Sequence, residues 1–132
     1  MSELPSIRVV AAVIEDDGKY LVTQRQRHAE LPLLWEFPGG RVEEGEADEV
    51  TLRREVEYRL NVSVKVGALL GFVTHKYVNY SVDLYLYQAR LEEVDINPTR
   101  VHAFRWISSD EFDNYPFTPA DEASMSALLG IS

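Results

Sequence analysis

Cysteine is absent from this chain of 132 residues, which excludes disulfides and thiol chemistry and fits a reducing compartment. Positive charge is scarce: 13 lysines and arginines stand against 22 aspartates and glutamates, for a formal charge of −9. Such a chain offers no non-specific surface to nucleic acid or to an anionic membrane, so any polyanionic ligand must find local cations. No apolar run approaches the roughly 20 residues of a membrane span. The opening Met-Ser-Glu-Leu-Pro lacks the basic and apolar regions of a secretory signal. Repeats, low-complexity tracts and long linkers are missing too. With 45% hydrophobic residues, the expectation is a single cytoplasmic domain over residues 1–132 that buries its own core, as monomer or homodimer, without a nucleic-acid or membrane partner.

What is present centres on residues 34–62, LWEFPGGRVEEGEADEVTLRREVEYRLNV. Gly39 and Gly40 permit close backbone approaches in a loop that leads into a helix starting near Ala47. Glu46, Asp48 and Glu49 place negative charge at its positive end. Leu52, Val56 and Leu60 recur every fourth residue as a buried stripe, and Asn61 can stop the helix. Glu49 and Arg53 form an i,i+4 surface pair.

Before this stretch, two β-branched runs, Ile7 to Ile14 and Tyr20 to Gln24, flank Asp17-Gly18 and predict a hairpin. Residues Arg25 to Leu34, which include His28, read as a loop. Beyond it, Val62 to Thr74 is strand-rich, with breaks at Gly67 and Gly71. Tyr80 to Leu91 alternates, with Val82, Leu84 and Leu86 on one face and Asp83, Tyr85 and Tyr87 on the other. His102 to Ile107 is a last strand, Ser108-x-x-Glu111 a capping box, and Thr118-Pro119 the start of a final helix reaching about Leu129.

The central stretch resembles the Nudix box, G-x5-E-x7-R-E-U-x-E-E-x-G-U with U a bulky aliphatic residue. Gly40, Glu46, Arg54, Glu55 and Val56 fall in register, Val62 closes the pattern, and WEFPGG precedes it as in MutT-like members. The C-terminal W-I-S-x-x-E-F-x-x-Y and F-T-P-A-D resemble the branch that takes 8-oxo-dGTP or cytidine triphosphates. The resemblance implies an α/β fold, an α/β/α sandwich with a mixed sheet, and a nucleoside triphosphate pyrophosphohydrolase using Mg²⁺ or Mn²⁺. It implies catalytic roles for Glu46, Arg54 and Glu55, with Glu46 and Arg54 as a loop-to-helix ion pair that positions the box rather than an ordinary surface pair, and with Gly40 and Glu55 at the metal. It implies nucleotide contacts from Arg25, Phe37, Arg41, Tyr85 and Asp121. The residues alone also allow plainer readings: Tyr85 as cross-strand packing, and Asp121 as an acid favoured near a helix N-terminus.

The chain departs from the pattern where the family's paired glutamates fall, at Tyr58 and Arg59, and Asn61 replaces its late glycine. At about 100° per residue, Tyr58 and Arg59 lie within about 60° of Glu55, on the metal face, while Glu57 is about 200° away. Hard cations need oxygen ligands, so three readings stand. They are a hydrolase with a weakened or altered metal site, using loop carboxylates such as Glu43, Glu44, Glu92 or Glu93; a nucleotide-binding module that needs no metal; and a partner-binding domain.

Overall fold

A computed structural model describes residues 4–129, with side chains through 126. Strand β1, Ser6–Asp16, turns into β2, Lys19–Gln24, through Asp17 and Gly18, both at positive φ (52° and 75°). A two-residue hairpin of type I′, whose twist matches its strands, has both centres there, so the Asp-Gly signal is met. Short strands β3, Trp35–Glu36, and β4, Gly39–Arg41, follow, then helix α1, Asp48–Leu60. Strands β5, Val64–Lys76, β6, Ser81–Leu91, and β7, Ala103–Ile107, lead through a 3₁₀ turn at Ser109–Asn114 to helix α2, Pro119–Leu129.

The strands form one mixed sheet in the order β3-β2-β1-β6-β5, with β4 added to β1 and β7 to β2. β1 and β6 run parallel, Ser6 opposite Ser81 through Ile14 opposite Ala89. From Val9 to Ile14 β1 is apolar without interruption, because both its faces are covered there. Val10, Ala12 and Ile14 pack against Leu52, Val56 and Leu60 of α1. Ala11 and Val13 join Leu84, Leu86, Phe37 and the α2 residues Ala120 and Met125 in the other layer. One helix on each face gives the expected α/β/α arrangement. The three stripe residues of α1 are fully buried, each worth about 1.5–3 kcal/mol.

Local details explain the boundaries. Ala47 precedes α1 without a side-chain cap, and Asp48 is drawn into the sheet instead. Arg8 grips its carboxylate through two bonds of 2.8 and 2.6 Å, and the Tyr87 hydroxyl donates a third. Asn61 ends the helix at φ 53°, its N–H donating to the Glu57 carbonyl at 2.8 Å. The breaks foreseen in the strand after the box are bulges, between Val66 and Leu69 and between Leu69 and Gly71. Glu111 accepts the Ser108 N–H at 3.0 Å, as a capping box requires.

Candidate functional site

The loop between β4 and α1 is organised by one carboxylate. Glu46 accepts two bonds from Arg54, at 2.9 and 2.7 Å, the Thr51 hydroxyl at 2.5 Å and the Glu43 N–H at 3.2 Å. Arg54 first and Thr51 next hold its carboxyl down at about 2. The ion pair inferred from the family pattern is thus the brace that ties loop to helix. Arg54 also donates to Glu55 at 2.7 Å. Gly40 is required by that neighbour: a Cβ there would lie 2.4 Å from Glu55 Cδ.

Arg59, one turn on from Glu55, takes its other carboxylate oxygen. Its side chain keeps only 24% of its exposure and that of Glu55 13%. Burial pulls the Arg59 guanidinium's proton affinity down while the charge of Glu36 holds it up, so Glu36 lies within electrostatic reach. Glu36 in turn receives Arg25 Nη1 at 3.2 and 3.4 Å, and burial pushes its carboxyl above the usual range. Arg25 is further fixed by the Glu30 carbonyl at 2.6 Å.

The residue after Glu36 connects this network to a second centre. Phe37 donates its N–H to Asp121 at 3.0 Å, and the Thr118 hydroxyl donates to the other Asp121 oxygen at 2.6 Å. Asp121 is 6% exposed. Burial first, and the charge of Glu36 next, push its carboxyl up to about 7. The Tyr77 hydroxyl sits beside it, accepting the Ala120 N–H at 3.3 Å and feeling the charges of Asp121 and Arg25.

The structure therefore brings together Arg25, Gly40, Glu46, Arg54, Glu55 and Arg59, with Asp121 and the Phe37 backbone adjoining. Other candidates stand apart. The Phe37 ring is core, edge-on to Tyr20 and Phe112. Arg41 is exposed and contributes its carbonyl, 3.5 Å from Arg54. Tyr85 faces the α1 layer, stacked on Phe72 at 5.2 Å with Arg8 3.8 Å above its ring, so the sheet separates it from Asp121. Tyr58 is 53% exposed beneath Arg100, 4.3 Å from its ring. Glu93 is occupied by the Ser63 N–H at 3.1 Å. Glu36 and Tyr77 carry no site signal in the sequence, where one sits inside an apolar motif and the other in a strand-end aromatic cluster.

Among the described residues no three His, Cys, Asp or Glu side chains are grouped to hold a metal ion. The donor set does not suit one either, because guanidiniums hold both oxygens of Glu55. A cleft of about 470 Å³ opens on the sheet among Val13, Tyr20, Lys65 and Arg90, but it contains none of these groups. Chemistry rather than concavity marks the site.

Fold and site together define a mixed-sheet α/β domain whose glycine loop and helix carry an arginine–glutamate network beside a buried carboxylate. Its relatives agree. The sequence pattern described as NUDIX domain matches residues 9–127. The CTP pyrophosphohydrolase of Escherichia coli K12 is 31% identical over 125 residues, 95% of this chain and 93% of that protein. The 8-oxo-dGTP diphosphatase of Proteus vulgaris is 29% identical over 64% of this chain and 76% of its own. The crystal structure of the MutT protein from Methanosarcina mazei Go1 superposes with a TM-score of 0.83 at 22% identity, covering 95% of this chain and 93% of that one, a likeness of fold. The chain belongs to the Nudix family, as a MutT-like member. No described helix is long and apolar enough to cross a membrane.

Proposed function

We propose that this protein binds nucleoside di- or triphosphates and hydrolyses them slowly, its metal-assisted pyrophosphohydrolase chemistry crippled at Tyr58 and Arg59. The observation that carries the reading is Arg59 seated on Glu55 while the Glu46–Arg54–Glu55 brace around it is intact. In relatives of this class Mg²⁺ or Mn²⁺ would be the cation at such a carboxylate. Here it would meet a fixed positive charge, a repulsion of about 8 kcal/mol for a dication at 4 Å and an effective dielectric of 20. The resident groups do not fit that ion, and the chain's own residues bind and orient instead. Asp121 faces the base as a hydrogen-bond acceptor, Arg25 faces the phosphates, and Arg54 fixes the loop. A cytoplasmic setting is part of the proposal and rests on the absence of cysteine.

A second reading, a binder without turnover, is favoured by one contact set. Tyr58 does work of its own: Arg100 lies over its ring, and the Thr99 hydroxyl reaches its carbonyl at 3.4 Å, so the loop before β7 is seated on the last turn of α1. Arg100 would also pair with a glutamate restored at 58. The test is therefore Tyr58→Glu with Arg59→Glu, built with and without Arg100→Ala, and assayed for pyrophosphate or phosphate release from nucleotides with Mg²⁺ and Mn²⁺. Slow wild type and a gain of about a thousandfold in the triple variant are expected, since metal assistance supplies several kcal/mol. Glu55→Gln added to it should abolish the gain. A wild type as fast as the triple variant, with equal metal dependence, sinks the proposal; two inactive proteins favour the pure binder.

A further inference from the structure

The position over Glu55 is occupied by a cation that cannot leave, and this bears on how a phosphate would be held. Arg59 is spent only in part. Nη1 bonds Glu55, whereas Nε and Nη2 meet no acceptor among the described residues. Arg25 uses Nε on the Glu30 carbonyl and Nη1 on Glu36, leaving Nη2 without one. No described buried side-chain nitrogen lacks a partner, so these free N–H groups reach solvent. Glu36 bonds Arg25 and lies within electrostatic reach of Arg59, and each guanidinium is partly buried, with 26% and 24% of the Arg25 and Arg59 side chains exposed. Positive charges held near one another are unfavourable unless anions face them; Glu36 serves both guanidiniums, while Glu55 is shared between Arg59 and Arg54. Arg54, by contrast, is fully engaged with Glu46, Glu55 and the Arg41 carbonyl.

We infer that Arg59 and Arg25 form a phosphate clamp that binds the polyphosphate of a nucleotide without any divalent cation. The inference rests on the nucleotide-binding reading above and adds the mode of recognition. A guanidinium presents a planar fork of donors that suits phosphate oxygens in pairs. Tethered one helical turn from Glu55, it is pre-ordered for the anion, with no ion to recruit from solution. The carboxylates Glu36 and Glu55 orient the forks. The clamp binds and positions; it does not activate water.

Calorimetric titration with a non-hydrolysable nucleoside triphosphate analogue separates the cases. With the wild type in EDTA and again in excess Mg²⁺, affinity should differ by less than about threefold. Arg59→Gln should weaken binding in EDTA by about tenfold or more. Arg59→Lys, which keeps the charge but loses the fork, should recover part of that loss. Thermal melting checks that both variants fold, and Arg25→Gln repeats the measurement should Arg59 prove essential to the fold. Binding that needs Mg²⁺ by tenfold or more, or an Arg59→Gln affinity equal to wild type, overturns the clamp while leaving nucleotide binding standing. No binding in either buffer overturns the functional reading along with it.

Discussion

Replacing Asp121 by asparagine exchanges a buried carboxyl for an amide of the same shape, and the pH dependence of stability should change with it. The amide oxygen can still accept the Phe37 N–H, and its nitrogen can donate to the Thr118 hydroxyl, which gives or takes a proton equally well. In the folded protein the carboxyl titrates at about 7 against 3.8 for the free group. The folded state thus keeps a proton that the unfolded chain releases from about pH 4 upward. This contribution is complete below pH 4, declines through the interval, and is gone once pH passes about 7. At about 1.36 kcal/mol per pH unit the full span is worth about 4 kcal/mol, a ceiling because Glu36 titrates with it. Asp121→Asn should match the wild type near pH 4 and exceed it by up to that amount at pH 8. Urea unfolding followed by the fluorescence of buried Trp35 reads this as a midpoint shift above about 1 M, for a slope of 1–3 kcal/mol/M. Parallel stability curves for the two proteins across that range would show instead that the carboxyl meets no burial penalty in the fold.

Two further outcomes follow from the same network. Gly40→Ala puts a methyl 2.4 Å from a Glu55 carbon held by two arginines, so calorimetry should find a loss of about 1–3 kcal/mol; an unchanged melting temperature would mean that Glu55 swings freely. Glu46 titrates low, at about 2, so its stabilisation is present above its unfolded value near 4 and vanishes as pH falls towards 2. Glu46→Gln should therefore flatten that part of the acid unfolding curve measured by circular dichroism, and identical acid limbs would remove Glu46 from the account.

Period and turn chemistry are local properties, which is why the α1 stripe and the Asp17-Gly18 hairpin were readable from the sequence. Glu46 with Arg54 was readable only through the family pattern, since eight residues and a loop separate them. Helical spacing placed Arg59 beside Glu55. The same spacing put Tyr58 there too, but its partner Arg100 is supplied by a distant loop that no periodicity announces. Alternation in β6 was correct, yet alternation does not say which helix covers which face, and so it could not separate Tyr85 from Asp121. Glu36 was hidden by its neighbours: a carboxylate between Trp35 and Phe37 reads as part of an apolar motif until Arg25 is seen against it.

The parallel pairing of β1 with β6 also sets a clock on synthesis. Ser6 must wait for Ser81 and Ile14 for Ala89, about 75 residues later in the chain. At about 5–20 residues per second, that is an interval of about 4–15 s. During it the apolar segment Val9 to Ile14 has left the ribosome with only β2, β4 and then α1 available to it. Long-range pairing of this kind is slow to form. The first strand made is therefore among the last to be sealed, and the newborn chain spends those seconds with one edge of its most adhesive stretch, and the face that carries Ala11 and Val13, uncovered.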